Sequence, residues 1–170
     1  MPSGRVHDAI TVLTTVAAVP VWYVLSPDRD PVPLALVAGA YLFSGFYFSD
    51  DLDIRSRSYN RWGPLRFLWW PYQVLVPHRS WVSHGLGGPL WRVLYFGLML
   101  WAVARCVLWL LIQEGVHVNR DAILGSLWTH GLTWTLTHPS ATLWLATGLV
   151  LGGVAHSVAD TVVSFAKKIW

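Results

Sequence analysis

Apolar residues in this 170-residue chain gather into long runs, separated by shorter stretches that hold most of the charge. Four runs approach the roughly 20 helical residues needed to cross a hydrocarbon core about 30 Å thick. They are Ile10 to Leu25, Pro33 to Phe48, Val93 to Ile112, and Ala141 to about Phe165. The third is the clearest. The first carries Pro20, an expected kink. The first two are short for a perpendicular crossing, so they extend into their flanks or meet a locally thinner bilayer. Ala35, Ala38, Gly39, Ala40, Ser44 and Gly45 in the second run, and Gly148, Gly152 and Gly153 in the fourth, predict close helix packing.

Two further apolar pieces break the pattern. Leu65 to Pro77 holds Trp69, Trp70, Tyr72 and two prolines, which predicts a segment lying at the headgroup level. Ala122 to Thr137 places Thr129, His130, Thr133, Thr135 and Thr137 on too many sides for lipid, and an interfacial or re-entrant helix is expected there. The predicted fold is all-α. It is a single membrane domain over residues 1–170, with about four transmembrane helices, one or two interfacial helices, and a loop at about 49–90.

Composition agrees with this pattern. The chain is 54% hydrophobic and 12% charged, with mean hydropathy +0.45; soluble domains carry about 25% charged residues. Cys106, the only cysteine, supports neither a disulfide framework nor a thiolate zinc knuckle. The net charge of +3 reports topology. With four crossings, Arg5, the loop arginines 55, 57, 61, 66 and 79, Arg92, and the Lys167/Lys168 tail fall on one side. Arg29 and Arg120 fall on the other. The positive-inside rule then puts both termini and the long loop in the cytoplasm. Asp8 precedes the first apolar run and no small-residue cleavage site follows, so that run is expected to be retained. No nucleic-acid module is present, and nucleic-acid binding is set aside. Arg105, within the third run, must face protein or snorkel. The twelve tryptophans fit interfacial anchoring and helix packing.

In this topology, imidazoles and carboxylates cluster at the cytoplasmic ends of the crossings. His7 and Asp8 precede the first; Asp50, Asp51 and Asp53 follow the second; His78 and His84 precede the third; His156 and Asp160 lie in the second half of the fourth. His156 and Asp160 are spaced i, i+4 and share a helix face. A charge in an apolar helix is costly unless paired or metal-bound. His78 and His84 are six apart, so a break between Pro77 and Gly85 is expected to aim both rings at one place. The predicted metal ligands are His7, Asp51, Asp53, His78, His84, His156 and Asp160. Imidazole with carboxylate suits zinc, manganese or iron, and the donor count allows one or two ions. Arg79 is a natural anion clamp, and Asp8 or Asp160 is the expected general base. If residues 122–137 crossed the membrane, the fourth run would invert and carry its His/Asp pair away from the others.

Several strings resemble a known family: Pro2-Ser3-Gly4-Arg5 with His7-Asp8, Asp51-Leu52-Asp53-Ile54 with Ser56 and Tyr59, Arg61-Trp62-Gly63, Pro71-Tyr72, and His78-Arg79-Ser80 with Ser83-His84. They look like the uncharacterised metal-binding membrane proteins common in cyanobacteria and other bacteria. More distantly, the layout resembles the YdjM-like family, named as membrane-bound metal-dependent hydrolases. That family's N-terminal His, Asp-x-Asp, His-Arg…His and late His-x-x-x-Asp match His7, Asp51 and Asp53, His78-Arg79 and His84, and His156 and Asp160. A proline expected before Asp-x-Asp is replaced by Ser49-Asp50. The resemblance implies a bacterial inner or cyanobacterial membrane and, weakly, hydrolase chemistry. Two functions are carried forward: a metal-dependent hydrolase of a phosphoester or lipid-linked substrate, and a non-enzymatic accessory subunit of a larger membrane complex, held together by a structural metal.

Overall fold

Each of the four apolar runs forms a long helix in the computed structural model. These are α1 (Gly4–Leu25), α2 (Pro31–Phe46), α6 (Gly88–Gln113) and α8 (Pro139–Ile169). Between them lie the short helices α3 (Arg57–Arg61), α4 (Trp70–Leu75) and α5 (Trp81–His84), two 3₁₀ turns (Asp50–Asp53 and Gly63–Trp69), and α7 (Arg120–Thr137). The structure describes residues 3–26, 29–78, 80–84 and 87–169, with side chains through residue 166; no strand occurs among them. The all-α expectation holds, and four helices are long and apolar enough to cross a membrane. α1 begins six residues earlier than its apolar run, at Gly4, so the polar turn bearing His7 and Asp8 is helical. α2 stops at Phe46 because Ser49, whose hydroxyl accepts from the Asp51 amide at 3.2 Å, caps a new 3₁₀ turn.

Contacts between the long helices fix their directions. Thr11 packs on Gly45, and Thr14 bonds the Tyr41 hydroxyl at 2.6 Å, so α1 and α2 are antiparallel. Gly148 lies against Val37 to Tyr41, and Gly152 against Tyr41 and Ser44, so α8 runs parallel to α2. The Ser44 hydroxyl donates to the Leu149 carbonyl at 2.8 Å along the same seam. Gly153 meets Pro89 at the start of α6, while Leu145 faces the neighbourhood of Gly97, so α6 and α8 are antiparallel. The starts of α1 and α6, the end of α2 and the second half of α8 therefore share one layer. α7 joins α6 to α8 at the opposite end, outside the four candidate crossings.

The expected interfacial segment has two faces. Leu68, Trp69 and Tyr72 are buried, while Leu65, Phe67, Trp70, Val74 and Leu75 are exposed. The buried face joins Phe48, Leu52, Val76 and Tyr95, with Tyr59, Trp62 and Phe96 around them. Trp69 is thus a core residue, packed edge-on to Phe48, Tyr72 and the half-buried Trp62, rather than a membrane anchor. Arg105 points outward, with its guanidinium over the Trp101 ring at 5.1 Å.

The α2–α8 seam requires its glycines. A Cβ on Gly152 would stand 2.6 Å from the Ser44 Cβ, whereas one on Gly97 would meet nothing within 4 Å. Gly152→Ala is expected to cost about 1–3 kcal/mol through overpacking. Gly97→Ala should gain up to about 1 kcal/mol of helix propensity. Thermal unfolding of the two variants in the same detergent tests this opposition of sign.

Candidate metal centre

The 3₁₀ turn Asp50-Asp51-Leu52-Asp53 concentrates three carboxylates in one tight loop. With about three residues per turn, residues i and i+3 eclipse, and both Asp50 and Asp53 are buried. Leu52, fully buried, anchors the turn in the aromatic core. Around this turn stand His7 from the first turns of α1, His78 after α4, His84 at the end of α5, and His156 with Asp160 from α8.

The geometry brings all seven predicted ligands into one connected set. His7, His156 and Asp160 form one group whose ligand atoms lie within 4.8 Å of one another; Asp51, His84 and Asp160 form a second; Asp53, His78 and His84 form a third. Asp160 belongs to the first two groups and His84 to the last two. The His7 and His156 rings stack at 3.8 Å with 14° between planes. His7 Nε2 lies 3.2 Å from Asp160 Oδ1, and His156 Nε2 lies 3.4 Å from Asp51 Oδ2. His78 Nδ1 is 2.9 Å from Asp53 Oδ1, and Asp53 Oδ2 is 3.9 Å from His84 Nδ1.

Two features test whether these residues fit a metal. First, seven buried ligand atoms have no hydrogen-bond partner among the described residues: His7 Nε2, Asp51 Oδ1, Asp53 Oδ2, His84 Nε2, His156 Nε2 and both oxygens of Asp160. Leaving a buried polar atom unpaired costs about 1–3 kcal/mol, more for a charged one. Second, Asp51, Asp53 and Asp160 contact only histidines among the described cationic side chains. Protonated His7 and His156 would repel each other at their stacking distance. Divalent cations answer both problems, so the donor set fits the group. His84 is prepared for such a role. Burial holds its imidazole below the ordinary value, against the pull of the Asp50 and Asp53 carboxylates. Its Nδ1 meets the Ser83 hydroxyl at 2.9 Å, which leaves Nε2 free for a ligand.

The sequence profile described as "Uncharacterized metal-binding protein (DUF2227)" matches residues 2–170. The chain belongs to this family. A protein of Aquifex aeolicus (strain VF5), described only as uncharacterized, is 36% identical over 61 residues. The matched stretch covers 35% of this chain and 40% of that relative, so the chain spans less than half of the curated relative's length. No solved structure matches.

Within this DUF2227 chain, two acids near the ligand groups have arginine partners. Asp8 stands outside the ligand groups. Its Oδ2 pairs with Arg57 at 3.0 Å and with Arg61 at 2.5 Å, so it fastens α3 to α1. Asp50 is likewise not a free donor. Arg92 Nη2 donates to its Oδ1 at 2.6 Å, and the Ser157 hydroxyl donates to its Oδ2 at 2.6 Å. Arg79 lies outside the described residues.

Arg92 is the important residue that the sequence reading did not assign to the site. It is fully buried, and its Nη1 also donates to the Ser83 carbonyl at 2.7 Å. Ser157 reaches the His84 carbonyl at 3.1 Å. Arg92 and Ser157 thereby tie the acidic turn, the His84 segment, α6 and α8 together. A sequence signal existed: an arginine in the second turn of an apolar helix needs a partner, and Asp50 was the acid without a role.

Removing one member of a buried ion pair strands the other charge, at about 3–5 kcal/mol. Arg92→Met is therefore expected to destabilise the protein by that amount, and Arg92→Met/Asp50→Leu to recover part of it. Thermal unfolding of the single and double variants measures the coupling; equal losses in both would contradict it.

Proposed function

We propose that this protein is a metal-dependent phosphoester hydrolase of a bacterial inner or cyanobacterial membrane, with its centre at the cytoplasmic face. The observation that carries the reading is the set of buried imidazole and carboxylate atoms without a hydrogen-bond partner, beside a cavity of about 500 Å³ in which His84, Ser157 and Thr161 stand among Trp81 and three valines. A site intended only to lock helices together has no use for such an opening. His7, His156, Asp51, Asp53, His84 and Asp160 would hold one or two zinc, manganese or iron ions, with His78 steadying Asp53 or joining the shell. Bound divalent ions would polarise a phosphoryl oxygen and acidify water.

The chain's own groups supply the rest. Asp160, with neither oxygen engaged in a hydrogen bond, would serve as general base. Water would add to phosphorus as its proton passes to Asp160, and the ester P–O bond would break as Asp160 returns that proton to the leaving oxygen. Arg79, adjacent to His78 in sequence, is suited to grip the phosphate. The distant YdjM-like resemblance points to the same reaction class.

A second reading retains a specific support: the ligands come from four separate segments, so an ion would also pin them together. An accessory subunit of a membrane complex would hold its ion in a closed shell, without the open position that a catalytic site keeps.

Metal analysis of purified protein is expected to find bound zinc, manganese or iron, lost in His84→Ala and Asp53→Ala and retained in Asp8→Asn. Unchanged occupancy in the first two would remove the site. Phosphate release from a soluble phosphoester should fall about 10²–10⁴-fold in Asp160→Asn, the usual worth of a general base. Chelator should abolish it and added metal restore it. A fully metallated protein that releases no phosphate favours the structural reading.

A further inference from the structure

The seven candidate ligands outnumber what one ion takes. Zinc binds about four and octahedral ions about six. Distance divides the set as well. Donors on opposite sides of one ion stand about 4.2 Å apart, twice a bond of about 2.1 Å. Ligand atoms within each of the three groups lie within 4.8 Å of one another, yet among the described residues no group joins His7 or His156 with Asp53 or His78. The two ends of the set therefore do not close on the same ion.

At the inner end, His7 Nε2 lies 3.2 Å from Asp160 Oδ1, and His156 Nε2 lies 3.4 Å from Asp51 Oδ2. Neighbouring donors in a tetrahedral zinc shell are about 3.4 Å apart, so these four side chains are spaced for one ion. Both Nε2 atoms and both Asp160 oxygens lack hydrogen-bond partners. This end is nearly sealed: His7 is 5% exposed, His156 6% and Asp160 8%. At the outer end, His78 Nδ1 lies 2.9 Å from Asp53 Oδ1, while Asp53 Oδ2 and His84 Nε2 are buried without partners. The His78 side chain is 32% exposed. His78 and His84 also sit on short elements after α4 and at the end of α5, whereas His7 and His156 sit on long helices. Asp51 links the two ends. Its Oδ2 faces His156, its Oδ1 has no partner, and it shares a ligand group with His84.

Charge favours two ions over one. With neutral imidazoles, a single divalent ion leaves a negative charge on the set Asp51, Asp53 and Asp160. Two leave a positive charge, the sign that a phosphate anion requires. Burial then separates the two positions, because the shell around a metal controls the access of water and competing ligands.

We infer that the centre holds two ions of unequal exchange: an inner, resident ion on His7, His156, Asp160 and Asp51, and an outer, exchangeable ion on Asp53, His78 and His84, with Asp51 between them. Free divalent metal would switch the centre on by filling the outer position. This deepens the metal reading proposed above and rests on it.

The test uses the full chain in detergent, loaded with manganese. Elemental analysis is expected to count two ions per chain, and under excess EDTA one should leave about tenfold faster than the other. His78→Ala removes a partly exposed ring and should retain only the slow ion. His7→Ala should retain only the fast one, and His7→Asn serves if that variant folds poorly. Electron paramagnetic resonance reads the pair without reference to activity: a spin-coupled Mn(II) pair in the parent protein, isolated Mn(II) in His78→Ala. One ion per chain, or two without coupling, would overturn the pair. Two ions leaving at one rate, or a His78→Ala protein that keeps both, would overturn the division into inner and outer positions. One ion per chain with phosphate release would overturn this inference and leave the hydrolase reading standing. A coupled pair that releases no phosphate would do the reverse.

Discussion

Three carboxylates held away from water without a lysine or arginine between them, among the described residues, form the constraint around which the rest of this protein is arranged. Placing even one uncompensated charge in such surroundings costs several kcal/mol. Asp51, Asp53 and Asp160 nevertheless converge, with histidines as their only described cationic neighbours. An arrangement with that much electrostatic debt is stable only with a compensating cation. The family to which the chain belongs is described as metal-binding, in agreement with this charge balance.

Helix packing makes the convergence possible. The parallel α2–α8 seam, with Gly148 and Gly152 in near-backbone contact with α2, sets how far along α8 the site layer falls. That register raises His156 and Asp160 to the level at which α2 gives way to its acidic turn. The antiparallel α1 brings His7 to the same level through the Thr11–Gly45 contact. Arg92 then neutralises Asp50, the acid of the 3₁₀ turn that is not a candidate ligand, and fastens the His84 segment beside the others. One buried cation thus separates Asp50, which organises the site, from its neighbours Asp51 and Asp53, which face it.

Much of this was legible in the sequence, because long apolar runs and the cost of charge within them are strong signals. The four long apolar helices, and the layer that gathers seven candidate ligands, follow from run length, the spacing of His156 and Asp160, and the alternating directions of those helices. Tertiary pairing was not legible. Asp8 reads as a free carboxylate until α3 folds back and delivers Arg57 and Arg61. Arg92 reads as a topological charge until the acidic turn meets it. Trp69 reads as a headgroup anchor because the aromatic core it fills is built from short elements, with no periodic pattern to announce it.

Metal-edge X-ray absorption on the metal-bound protein tests the central claim most directly, because it reads the identity of the atoms around the ion. The account predicts a first shell of nitrogen and oxygen only, with outer scattering from at least two imidazoles that weakens when His156, remote in sequence from the other histidine ligands, is replaced by alanine. A shell without imidazole, or one unaltered by His156→Ala, would contradict it.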